Sequence, residues 1–192
     1  MAHISTIGAG LYSDLSVCID TVQIATAWAS QTEANLKACF AAELANGSAP
    51  TATTGEFIRI KNVREFPAMG TPPNIVNVPV YGQKSTQQIQ GQSDAPSMEI
   101  QLNYIGTDWQ KAANYLGNMV ADGNRYLFRF ALLNTQPASY ESTVGGLGST
   151  ANSQYFWFGK IDSILVTPSL TDANTATIAL TIQSDVHGAY TS

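Results

Sequence analysis

The strictest constraint in this 192-residue chain is a short alternation at residues 97–104. Met98, Ile100, Leu102 and Tyr104 point one way along an extended chain, and Ser97, Glu99, Gln101 and Asn103 point the other. Successive side chains of a strand lie on opposite faces of its sheet, so this segment predicts a strand with one dry and one wet face. Residues 177–186 repeat the pattern, with Ile178, Leu180 and Ile182 inward and Thr177, Thr181, Gln183 and Asp185 outward. A chain with two such strands must bury one side of a sheet and leave the other in water.

The remaining segments extend that sheet. Residues 125–133 place Tyr126, Phe128, Phe130 and Leu132 on one apolar face. Residues 155–166 (YFWFGKIDSILV) are strongly apolar, with Gly159 marking a bulge or a close approach of another backbone. Residues 56–66 read as a strand with Ile58 and Ile60 on one side. Residues 19–28 alternate imperfectly, Val22, Ile24 and Trp28 against Thr21, Gln23 and Ala25, and also predict a strand. Residues 75–81 predict an edge strand, because Pro79 removes a ladder donor.

Two helices are expected between the strands. Ser30-Gln31-Thr32-Glu33 is a capping box, followed by Leu36, Cys39, Phe40 and Leu44 at helical spacing and by Asn46-Gly47 as a stop. Part of residues 30–54 could instead be an extended loop. A second capping signal at Thr107 precedes a stripe of Trp109, Ala112, Ala113, Leu116, Met119 and Val120, which predicts a helix over 107–122. The sum is a single mainly β domain over 1–192. It is a β-sandwich or barrel of about seven strands, with one flanking helix after the central strand and a possible N-terminal helix. Residues 1–16 read as an extended arm and 134–152 as a long loop. Its Gly145-Gly146-Leu147-Gly148 lacks the Gly-Lys-Ser/Thr of a phosphate loop.

Composition narrows the function. Charged residues are 12% of the chain, about half the share usual in soluble domains, and small polar residues replace them. Such a surface desolvates cheaply on assembly, although a neutral secreted domain has the same composition. The net charge of −5 argues against tight binding of nucleic acid. Residues 66–104 hold five of the eight prolines and only three charges, Lys84, Asp94 and Glu99, so they offer backbone and amides to a partner rather than chemistry. No apolar run reaches membrane-spanning length, and MAHISTIGAG lacks the basic and apolar regions of a signal peptide.

Catalytic patterns are missing. His3 and His187 lie near the chain ends, without cysteine or carboxylate neighbours at metal spacing. Asp162 and Asp172 read as solvated carboxylates rather than an acid–base pair. Cys18 and Cys39 sit in apolar surroundings and read as reduced core residues. No enzyme and no cofactor are expected.

The run FPAMGTPPNIVNVPVYGQKSTQQIQGQSDAPSMEIQLNY, the following DW…LG segment and the C-terminal FGKIDSILVTPSLTDANTATIALTIQSDVHG resemble the major tail tube proteins of long-tailed, non-contractile bacteriophages, over most of residues 56–188. That resemblance implies a virion protein, assembled in the host cytoplasm, whose copies form hexameric rings stacked into a tube. It implies a tape-measure protein in the lumen during assembly, tail terminator and tail-tip partners, and passage of genomic DNA without tight binding. On this scheme Glu99, Gln101, Asn103, Thr181, Gln183 and Asp185 are candidate lumen lining. Tyr81, Gln83, Lys84, Gln87, Gln88 and Gln90 are candidate contacts between subunits or rings. Arg59, Lys61 and Arg64 are either a further contact or the charged guard of an edge strand. The 1–16 arm and the 134–152 loop are other candidate contacts. The competing classes are a secreted or surface β-sandwich binding or adhesion module and a small hydrolase with spatially assembled residues.

Overall fold

A computed structural model describes residues 12–51, 54–68, 75–79, 81–82, 87–90, 97–133, 136–141, 147 and 153–190. The fold is mainly β, as the alternating segments require. The strands are β1 (Asp14–Cys18), β2 (Ala42–Glu43), β3 (Glu56–Arg59), β4 (Val63–Glu65), β5 (Ile75–Val78), β6 (Gln87–Gln90), β7 (Ser97–Asn103), β8 (Tyr126–Leu132), β9 (Ser153–Thr167), β10 (Thr175–Ile182) and β11 (His187–Tyr190). Nine of them form one sheet in the order β2-β3-β1-β8-β9-β10-β7-β4, with β11 also on β9. Among the described residues β5 and β6 pair only with each other. Every pair is antiparallel except β2 with β3.

β9 is the spine. Its first half pairs with β8, from Ser153 opposite Leu132 to Gly159 opposite Tyr126. Its second half pairs with β10, from Gly159 opposite Ile182 to Thr167 opposite Thr175. Gly159 is where the two ladders meet, and a Cβ there would lie 2.8 Å from the Thr181 carbonyl oxygen. The close approach expected of this glycine is therefore real. The two halves of the sheet bring their inner faces together. Leu15, Val17, Ile58, Phe128 and Trp157 from one half share a core with Met98, Ile100, Leu102, Ile178 and Leu180 from the other.

Two α-helices, α1 (Thr21–Ala29) and α2 (Glu33–Ala38), cover the outer face of the β1-β3-β8-β9 half. They enclose a second core of Cys18, Ile24, Ala27, Leu36, Cys39, Phe40, Phe57, Leu127, Phe156 and Phe158. Both cysteines are buried and unbridged.

Several sequence expectations are corrected. Residues 19–28 are not a strand. The Asp20 carboxylate accepts from the amides of Val22 and Gln23 (3.0 and 3.1 Å), which starts α1, and Ile24 and Ala27 share its buried face. The second helix is capped by Thr32 rather than Ser30, and it stops at Ala38 instead of running to Asn46. Gly55, at φ +77°, packs so closely there that a Cβ would sit 1.7 Å from the Ala38 carbonyl oxygen. The chain then turns into β2, and the Leu44 amide donates to Phe57. The strand expected over 56–66 breaks into β3 and β4 at Asn62, whose φ is +62°.

The helix expected over 107–122 is a series of turns with a single 3-10 turn, Leu116–Met119. Trp109, Leu116 and Met119 are buried as their apolar character demands, while Ala112 and Ala113 are exposed. Asn46 organises this path from outside. Its amide nitrogen donates to the Asp108 carbonyl (2.7 Å), its amide oxygen accepts from Leu116 (3.1 Å), and the Gly47 amide donates to Asn114 (2.9 Å). Backbone groups that a helix would have satisfied internally are satisfied across 62 residues of sequence or more.

Candidate assembly surface

The helices cover only one half of the outer face, and among the described residues nothing covers the β10-β7-β4 half. On β7, Ser97, Glu99, Gln101 and Asn103 are exposed, and Met98, Ile100 and Leu102 are buried. The ladder with β10 sets Thr181, Ala179, Thr177 and Thr175 beside them in that order. The next ladder continues the face to Lys160, Ser163, Leu165 and Thr167 on β9. A bulge between Ala179 and Leu180 leaves Asp162 on this side, where it accepts a hydrogen bond from the Thr181 hydroxyl. Glu65 of β4 lies opposite Gln101. The charged side chains of this face are thus Glu65, Glu99, Asp162 and Lys160, and the rest is hydroxyl, amide and apolar surface that includes the exposed Leu165.

Four of the six residues read from the sequence as a wall, Glu99, Gln101, Asn103 and Thr181, are therefore neighbours on paired strands. Gln183 and Asp185 lie past the end of β10. Gln183 accepts from Arg125 Nε (3.2 Å) at the border with α1, and its amide donates to Phe158. Asp185 is exposed in the turn to β11.

The three cations of residues 59–64 part company. Arg59 turns inward, 2.7 Å from Asp14 Oδ1 and 3.2 Å above the Tyr140 ring. Lys61 and Arg64 stay exposed and line an open hollow of about 480 Å³ with Ser13, Asn62 and Phe66. Tyr81 is fully exposed in the turn that follows β5. Gln87, Gln88 and Gln90 lie on β6, opposite Val78, Asn77 and Ile75. Gln83, Lys84, most of the 134–152 loop and residues 1–11 of the arm lie outside the described residues.

The sequence reading missed a buried polar group beneath the Tyr140 segment. Arg129 has no exposure, stacks over Phe40 and Phe57, and donates to Ser16 Oγ (3.2 Å) and the Tyr140 carbonyl (2.7 Å). Burial lowers its pKa to about 10, against the pull of Asp14. Gln154, also fully buried, has no hydrogen-bond partner among the described residues for either side-chain amide atom. A cation in the middle of YLFRFAL was the available signal, because a one-sided strand would have left Arg129 in water.

The remaining chemistry-bearing groups are scattered. His187 is hydrogen-bonded to Gln31 (2.6 Å), and Asp172 accepts from the Ala173 amide in its own turn (2.7 Å). Among the described residues no three His, Cys, Asp or Glu side chains converge as metal ligands. Among the described residues no helix is long and apolar enough to cross a membrane.

No protein-family model matches the chain, and no curated protein matches it in sequence. Among solved structures the chain is similar to the SPP1 tail tube, determined by solid-state NMR and cryo EM. The two are 12% identical, the match covers 97% of this chain and 81% of the other, and the TM-score is 0.47.

Proposed function

We propose that this chain is a structural protein that assembles with copies of itself into stacked rings, forming the tail tube of a long-tailed bacteriophage. One observation carries the reading: a single sheet has one outer half sealed by a second hydrophobic core and the other, among the described residues, left uncovered as a largely polar wall. A wall of amides and hydroxyls with three carboxylates and one lysine is hydrated and does not hold phosphates, which suits a conduit for DNA. The sequence resemblance of residues 56–188 to tail tube proteins points the same way.

Two further features support assembly. The sheet ends in strands of two and three residues, β2 and β4, and β4 pairs β7 only near Gln101 and Leu102. Ser97–Ile100 thereby keeps a free backbone edge among the described residues, open to a neighbour's strand. The β5–β6 hairpin forms its own two-stranded sheet, and such hairpins are marginal in water without a partner. On this reading hexameric rings stack around a tape-measure protein, tail terminator and tail-tip proteins close the ends, and DNA later passes through. Assembly takes place in the host cytoplasm.

Negative-stain microscopy of the concentrated protein tests the assembly, with tubes or rings as the expected result and a persistent monomer as the refuting one. The wall is tested with a bulky polymer maleimide. Because Cys18 and Cys39 are buried, Gln101→Cys is expected to be shielded in intact tubes and reactive after dissociation, while Glu33→Cys on α2 reacts in both. Equal labelling of Gln101→Cys in both states would remove this face from the lumen.

A further inference from the structure

The exposed apolar side chains of the chain include two groups far apart on the sheet. One is the β9–β10 turn. Leu165 and Val166 are 67% and 44% exposed, and Leu170 is fully exposed at the tip. The turn is hydrogen-bonded within itself. Ser169 Oγ accepts from the amides of Thr171 and Asp172 (3.4 and 3.0 Å), and Asn174 Oδ1 accepts from Ser169 (2.9 Å). Asp172 stands exposed two residues beyond Leu170, and residues 161–174 contain no cation.

The second group surrounds an open hollow of about 370 Å³ lined by Thr21, Ile24, Ala25, Trp28, Arg125 and Tyr126, with Asn124 at its rim. Trp28 is 38% exposed and packs edge-on against Phe158 (5.0 Å). The Arg125 guanidinium lies 3.6 Å above the Trp28 ring, and its Nε donates to Gln183. Asp122, the nearest carboxylate in sequence, already accepts from the Asn124 and Tyr126 side chains. The hollow therefore offers an apolar floor beside a guanidinium, and Trp and Arg are the side chains that most often anchor protein interfaces.

We infer that Leu170 and Asp172 of one copy dock into the Trp28–Arg125 hollow of a second copy, Leu170 on the apolar floor and the Asp172 carboxylate against Arg125. This contact rests on the tube reading and names a pair of surfaces for it. The two features match in chemistry, an apolar side chain with a carboxylate against an apolar floor with a cation. They cannot meet within one chain. Nine residue steps of continuous strand separate Phe158, under the hollow, from Thr167 at the start of the turn, about 30 Å at strand spacing. Made once between each pair of copies, a contact between two different surfaces is heterologous and propagates around a ring or along a stack. The preformed turn loses little freedom on docking.

Charge exchange tests it. Arg125→Glu and Asp172→Arg alter exposed side chains, so each variant is expected to fold like wild type but to need at least tenfold more protein to assemble in sedimentation velocity and negative-stain microscopy. The double variant Arg125→Glu/Asp172→Arg is expected to recover assembly, and Leu170→Ser to weaken it without rescue. Single reversals that assemble like wild type, or a double variant no better than either single one, overturn the contact while leaving the tube reading intact. A wild-type protein that remains monomeric at every concentration overturns both.

Discussion

Arg129 Nη2 lies 3.6 Å from Asp14 Oδ2, and both side chains are sealed from solvent on the outer face of the β1–β8 ladder. Asp14 also holds Arg59 at 2.7 Å, so one carboxylate faces two guanidinium groups. Asp14→Ala would remove the carboxylate paired with the fully buried Arg129. A loss of about 3 kcal/mol is expected, the range for breaking a buried pair. Arg129→Met keeps the packing against Phe40 and Phe57 and leaves Asp14 with Arg59, so it should cost less. Urea unfolding of the two variants checks the order, and a larger loss for Arg129→Met would show that the guanidinium, not the carboxylate, anchors the group.

Glu43 supplies a pH dependence of known sign. Burial raises its pKa above the ordinary 4.5, against the weaker opposing pull of Arg59. The folded state therefore holds the proton to higher pH than the unfolded chain, and stability contributed by this group falls as pH rises through that window. Glu43→Gln should stabilise the protein at neutral pH by a fraction of about 1 kcal/mol, because the side chain is partly exposed. The advantage should vanish below pH 4.5, where both side chains are neutral. Melting temperatures across pH 4 to 8 measure it, and a neutral-pH loss for Glu43→Gln would reverse the assignment.

Two glycines with similar backbones should respond differently to alanine. Gly55 and Gly123 have φ of +77° and +79°. A Cβ at Gly55 meets the Ala38 carbonyl at 1.7 Å, whereas one at Gly123 meets nothing within 4 Å. Gly123→Ala should cost about 1 kcal/mol for the left-handed conformation alone. Gly55→Ala adds a backbone collision and should cost several times as much, with thermal unfolding as the readout.

Asn46 should be worth about 2 kcal/mol, since Asn46→Ala strands two partly buried backbone groups, the Asp108 carbonyl and the Leu116 amide. Hydrogen exchange gives a sharper signature. The Leu116 amide should lose protection in the variant while amides of β8 and β9 keep theirs.

The bare wall predicts a separation of stability from function. Gln101→Lys with Thr177→Lys places two cations side by side on an exposed face. Folding stability should change by less than about 1 kcal/mol. Retention of DNA by the assembled protein should rise and should fall again with salt, because the added affinity is counterion release. Unchanged retention in filter binding would argue against DNA contacting this face.

What was legible in the sequence was the part governed by local period. The alternation in 97–103 and 177–182 marked the dry and wet sides of β7 and β10, because a strand's side-chain direction depends only on position along it. Polar Asp20 in front of Ile24 and Ala27 carried a helix start that a loose period-2 count overrode. Nothing within residues 107–122 announced that Asn46 would replace a helix there, nor within β8 that Asp14 would bury Arg129. The pairing of Glu99, Gln101 and Asn103 with Ala179, Thr177 and Thr175, and the helices stopping short of that face, were likewise decided by tertiary structure. Periodicity is a property of neighbouring residues, whereas hydrogen bonds, ion pairs and covering layers join residues that only the folded chain brings within reach.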